Sequence, residues 1–112
     1  MCIFCKIVDK EIPCTKVYED EKILAFKDIN PSAPVHVLVI PKEHITSVNY
    51  INEGNAEVVG HIFTTIAKLA KELGVDESGY RVVTNIGMQG GQSVAHLHFH
   101  LLGGRNLGWP PG

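Results

Sequence analysis

The stretch His96-Leu97-His98-Phe99-His100-Leu101-Leu102 alternates imidazole and apolar side chains. Successive side chains of an extended chain point to opposite faces. The spacing therefore predicts a strand, Val94 to Leu102, with three imidazoles on one side and Leu97, Phe99 and Leu101 facing a core. Like-facing residues on a strand stand about 6–7 Å apart, close enough to serve one substrate. A neutral imidazole can act as nucleophile, base or metal ligand near pH 7. Three of the chain's six histidines lie here, in a pattern that a wetted sheet face alone does not explain.

Two chemistries fit such a row. Three imidazoles can hold a catalytic metal, or one can attack phosphorus while its neighbours bind oxygens. The segment just before the row, Asn85-Ile86-Gly87-Met88-Gln89-Gly90-Gly91-Gln92-Ser93, favours the second. Glycines let backbone N–H groups approach an anion, and the Ser93 hydroxyl can donate to a phosphate or leaving group. Phosphoryl transfer depends mainly on positioning and charge stabilisation, which this arrangement supplies.

Working outward, Phe4 to Lys10 reads as a short helix that Ile12-Pro13 ends. Lys16 to Glu19 and Lys22 to Lys27 read as strands joined by the acidic turn Glu19-Asp20-Glu21. His36 to Ile40 is an apolar strand stopped by Pro41. Val59, Ile62, Phe63, Ile66, Leu69, Ala70 and Leu73 recur at spacings of three and four, which predicts one long amphipathic helix. Gly74 supplies its stop. Tyr80 to Asn85 forms a further strand. Strands interrupted by one long helix imply an α+β fold: a mostly antiparallel five-stranded sheet with one long and one short N-terminal helix.

The bulk properties narrow the function classes. A chain of 112 residues fits a single domain spanning 1–112. A net charge of −2 offers no basic field for nucleic acid or an acidic membrane, so neither is expected as a partner. No apolar run reaches the roughly 20 residues of a membrane span, and no secretory signal is visible. Three cysteines, an odd number, suit a reducing compartment, and a cytoplasmic location is expected.

Here the residues resemble a known family. The alternating stretch is similar to the signature of the histidine triad superfamily, and the likeness extends almost end to end. It includes Ile3-Phe4, Glu11-Ile12-Pro13, Ala25-Phe26-Lys27-Asp28-Ile29, His36-Val37-Leu38-Val39-Ile40-Pro41-Lys42, Gly90-Gly91-Gln92-Ser93 and Trp109-Pro110-Pro111-Gly112. The last two stretches resemble the Hint (histidine triad nucleotide-binding) branch. Ala95 and Lys27 depart from that pattern but remove no reacting group. The resemblance implies a purine nucleoside phosphoramidase acting on nucleoside 5′-monophosphates joined to an amine, with no cofactor needed for catalysis. A nucleotide-binding regulatory or scaffold protein with weak hydrolase activity, or a metal-dependent hydrolase, are the alternatives.

Residue by residue, the resemblance makes His98 the nucleophile and His100 a donor to phosphate oxygen. Ser93 assists the leaving group and His36 supports His98. Asn85, Gly91, Gln92 and Val94 help hold phosphate. Asp28 accepts from the ribose hydroxyls, and Ile3, Phe4, Ile7, Phe26, Ile29 and Leu38 line the base pocket. Each of those six apolar side chains fits a plain core role as well. Trp109 is implied to dock beside the partner's site in a homodimer.

Cys2-x-x-Cys5 is a separate signal. It lacks the βαβ setting of a redox pair, and as half of a zinc site it needs two further ligands. The resemblance implies the set Cys2, Cys5, His44 and His96, a structural zinc site. His96 would then hold metal and leave His98 and His100 for chemistry.

Overall fold

Four of the five strands are ordered around β3 (Val35–Pro41), whose residues after Val35 are all buried. In the computed structural model, which describes residues 2–112, β3 pairs with β2 (Ile23–Lys27) on one side and β5 (Phe99–Gly103) on the other. β1 (Lys16–Glu19) and β4 (Tyr80–Val83) close the two edges, giving a fully antiparallel sheet in the order β1-β2-β3-β5-β4. The short helix α1 (Ile3–Val8) and the long helix α2 (Ala56–Glu72) complete the α+β fold expected above.

Strand alternation divides the apolar residues into two cores. Ile23 and Ala25 of β2, Val37 and Val39 of β3, and Phe99 and Leu101 of β5 pack with Ile62, Ile66 and Leu69 of α2. On the opposite face Leu24, Phe26, Leu38 and Ile40 gather around Phe4 of α1. The thick core holds the sheet; the thin one lies beside the histidines.

Helix α2 ends in a Schellman closure, with Gly74 N–H on the Lys71 carbonyl and Val75 N–H on the Ala70 carbonyl. Gly74 has φ of +74°, the left-handed geometry that glycine adopts without steric cost. α2 begins three residues before the apolar stripe, because its first turn (Ala56, Glu57) faces solvent and carries no periodic signal.

The strand expected over Val94 to Leu102 is shorter. β5 starts only at Phe99, and residues 94–98 run as irregular chain. The register aligns Val39 with Phe99, so Pro41 falls opposite Leu97. Proline has no N–H for that rung. Leu97 N–H turns instead to the Ile45 carbonyl at 2.6 Å. On the other flank β4 stops at Val83 rather than Asn85, and the Thr84 hydroxyl takes the His98 carbonyl at 2.9 Å. The alternation survives without the ladder: Leu97 is in the α2-side core, while His96 and His98 lie against Phe4 on the other side.

Candidate active site and metal centre

His98 and His100 stack edge to face with ring centroids 5.1 Å apart, and His36 of β3 lies 5.1 Å from His100. Phe4 of α1 presses against His98 at 5.2 Å with the rings perpendicular. His98 is only 3% exposed and His36 8%, so these rings are held by packing and not by solvent.

Backbone groups fix where the ring protons sit. The Ser32 N–H donates to Nδ1 of His36 at 3.0 Å. A backbone amide can only donate, so His36 carries its proton on Nε2. That Nε2 lies 2.8 Å from Nδ1 of His100 and 3.4 Å from the Asp28 carboxylate. Nδ1 of His100 therefore accepts, and its Nε2 is left as an N–H donor. Nδ1 of His98 lies 2.7 Å from the His96 carbonyl. A carbonyl can only accept, so the Nε2 of His98 bears the free lone pair. One ring is left with a free lone pair on Nε2 and its neighbour with a free N–H.

The surroundings disfavour protonation of His36 and His100. Burial, then the neighbouring His98 and His36, push His100 down to about 4, and Asp28 offsets only part of this. Burial likewise lowers His36 against the opposing pull of Asp28. An imidazole held neutral keeps one donor and one acceptor, whereas an imidazolium keeps no lone pair.

His96 belongs to a different centre. Its Nε2–H donates to the Pro41 carbonyl at 2.8 Å, turning the Nδ1 lone pair toward two sulfurs. Cys2 Sγ lies 3.3 Å from that Nδ1 and 3.5 Å from Nδ1 of His44; Cys5 Sγ lies 3.6 and 3.3 Å from the same atoms. Tetrahedral zinc with ordinary bond lengths places sulfur and nitrogen about 3.6 Å apart, so the four donors fit the ion. Burial, then the Cys2 sulfur, push the Cys5 thiol up, and a cation would relieve that repulsion. Cys2, Cys5, His44 and His96 thus form a metal site consistent with structural zinc. Among the described residues His96, His98 and His100 do not form one such cluster, whereas Asp28, His36 and His100 do bring donor atoms together.

The remaining candidates are placed unevenly. Phe4, Phe26 and Leu38 are buried in the thin core, Ile7 packs against it, Ile3 is half-exposed and Ile29 is 91% exposed. Asp28 accepts from the Asn30 N–H at 2.8 Å. Asn85 is half-buried and Ser93 exposed. Within the glycine loop, the Gly91 N–H closes a turn on the Met88 carbonyl. The Gln92 side chain bridges Gly87 N–H and the carbonyls of Thr46 and Val94. These groups shape the loop from within. Trp109 is exposed beside the Arg81 guanidinium. The Ser32 amide, the Pro41 and His96 carbonyls and Thr84 escaped the sequence reading, because backbone donors and acceptors carry no residue signature. A depression of about 650 Å³ near Lys42, Asn55 and His61 contains none of the triad; there His61 pairs with Asp20 at 2.6 Å.

The fold and the histidine row define a triad protein. A family model described as scavenger mRNA decapping enzyme C-term binding matches residues 1–107, and the chain belongs to this histidine triad (HIT-like) superfamily. A "14 kDa zinc-binding protein" of Zea mays is 54% identical over 98% of this chain and 87% of its own length. An uncharacterised HIT-like protein of Synechococcus elongatus is 51% identical over 98% of this chain and 96% of its own. The crystal structure of a HIT family hydrolase from Legionella pneumophila superposes with a TM-score of 0.98 at 52% identity, covering both chains completely.

The neutral His100 makes stability depend on pH. In the unfolded chain its pKa returns to about 6.5, so below that value the unfolded state takes up a proton that the folded state refuses. The stabilisation is full above pH 6.5 and is lost as pH falls toward about 4. Urea unfolding from pH 7 to 4 is expected to show a steeper decline for the wild type than for His100→Asn. Parallel pH profiles would contradict it.

Proposed function

We propose that this HIT family hydrolase is a purine nucleoside phosphoramidase working through a nucleotidyl-histidine intermediate. The observation that carries the reading is the His98 Nδ1–H bond to the His96 carbonyl, which leaves the lone pair on Nε2 free. In the first step that lone pair forms a bond to the α-phosphorus while the phosphorus–nitrogen bond breaks opposite it. The departing amine takes a proton from the Ser93 hydroxyl, which solvent replaces, since Ser93 is exposed. The modified His98 ring gains positive charge, which its Nδ1–H shares with the carbonyl oxygen. His100 donates from Nε2 to a non-bridging oxygen as charge builds there. Water then attacks the same phosphorus and gives up a proton to solvent, the phosphorus–Nε2 bond breaks to return the neutral ring, and the nucleoside monophosphate leaves.

Asp28 is proposed to accept from the ribose hydroxyls, with Ile3, Phe4, Ile7, Phe26, Ile29 and Leu38 walling the base. Asn85, Gly91, Gln92 and Val94 frame the phosphate, Gln92 by holding the loop in shape. Zinc on Cys2, Cys5, His44 and His96 would act structurally, tying α1 to the chain on either side of the thin core. We further propose a single domain over 1–112, a cytoplasmic location, and a homodimer. β4 is an edge strand with unpaired backbone groups, and Tyr80 and Phe63 are exposed near it and on α2. These features support a second copy covering that side, with Trp109 reaching the neighbouring site. Three cysteines with free thiols support a reducing compartment; no described helix is long and apolar enough to cross a membrane.

The nucleophile is tested with adenosine 5′-phosphoramidate. His98→Ala should lose at least roughly a thousandfold in kcat while still binding adenosine monophosphate in calorimetry. Activity within tenfold of wild type would remove His98 from the role. Protein purified without chelator should carry about one zinc per chain by elemental analysis, and Cys5→Ala less than a tenth of that. Metal-free wild type would refute the zinc assignment. Sedimentation at micromolar concentration should report twice the chain mass; a monomer there would refute the dimer.

A further inference from the structure

We propose that Arg105 is a positioning residue for His36 and His100, acting through the backbone of Ser32. The kinetic part rests on the hydrolase reading above; the proton arrangement does not.

Arg105 lies just beyond β5, two residues after Gly103, with an exposed side chain. Its Nη2 donates to the Ser32 carbonyl at 2.8 Å, and its Nη1 to the Asn106 carbonyl at 3.0 Å. Beside it Gly104 has φ of +90°, and a Cβ there would approach Pro34 Cβ to 2.9 Å. The start of the C-terminal segment therefore lies tight against the loop between β2 and β3. Pro31 and Pro34 bracket Ser32 and have no N–H to contribute. That leaves the loop dependent on a few side-chain anchors, of which the guanidinium is one.

The other side of Ser32 faces the reaction. Its N–H is the donor that keeps Nδ1 of His36 unprotonated. If Ser32 turns away, solvent can move the His36 proton from Nε2 to Nδ1. Nε2 of His36 then becomes an acceptor, and His100 must present Nδ1–H to it across their 2.8 Å contact. The Nε2 of His100 is left as a bare lone pair facing the phosphate oxygen. A donor has become a repelling acceptor with no change in residue. One remote guanidinium thus selects which way the His36–His100 pair is polarised.

The test uses zinc-loaded full-length protein labelled with nitrogen-15 in histidine. Long-range proton–nitrogen spectra near pH 7.5 should show wild-type His36 and His100 protonated on Nε2 alone. In Arg105→Gln, His36 should become a mixture of tautomers. Its kcat on adenosine 5′-phosphoramidate should fall roughly tenfold, the scale of one weakened hydrogen bond, with KM changed less than about twofold. Arg105→Lys keeps a cationic donor of nearly the same reach, which the shorter, neutral glutamine does not, and should restore both the spectrum and most of kcat. Wild-type His36 protonated on Nδ1 would overturn the proposal. So would an unaltered spectrum in Arg105→Gln whatever its activity, or mixed tautomers with unchanged kcat. A wild type with the expected spectrum but no turnover would refute the phosphoramidase reading alone.

Discussion

Beyond Val39 the ladder joining β3 to β5 would have to run through Pro41, which has no N–H to offer. The sheet releases the chain at that point, and Leu97 finds the Ile45 carbonyl instead. Released from the ladder, the two residues flanking Leu97 can turn their rings to partners a regular strand would not reach. His96 reaches the Pro41 carbonyl itself, and His98 reaches the carbonyl of His96. One missing donor therefore separates an imidazole of the metal site from one whose Nε2 lone pair is free, although both lie in the same alternating run.

The half of the site that holds His36, His98 and His100 is organised by hydrogen bonds whose direction is not negotiable. An amide at Ser32 and a carbonyl at His96 set the protons on His36 and His98, and His100 follows from its neighbour. Burial depresses His36 and His100 and so keeps the pattern from being erased by protonation. In a low-dielectric setting, preset donors and acceptors need little rearrangement when charge develops. The thin core of Phe4, Phe26 and Leu38 supplies much of that setting.

Much of this was legible in the residues. The three-and-four spacing in 59–73 located α2, and the alternation of Leu97, Phe99 and Leu101 located the core-facing side of the histidine run. The Cys2-x-x-Cys5 pair marked the metal centre. The length of β5 was not legible, because it depends on a proline 56 residues away in sequence, known only once the register is known. The strand over Tyr80 to Asn85 was overextended for a similar reason: Thr84 gives its hydroxyl to His98. Ring tautomers were out of reach altogether. They follow from main-chain groups, and every residue has those.

The two-faced run at 96–102 also bears on how such a sequence can change over time. A residue lost or gained among the exposed glycines of 87–91 shortens or lengthens a turn. The same event inside 96–102 would put the imidazoles on one side of it in the places of their apolar neighbours, sending rings into the α2-side core and leucines toward the other face. Drift in chain length is therefore open to the turn and closed to the run. The interval between His96 and His100 should stay constant among working descendants of this chain even where the turn before it varies.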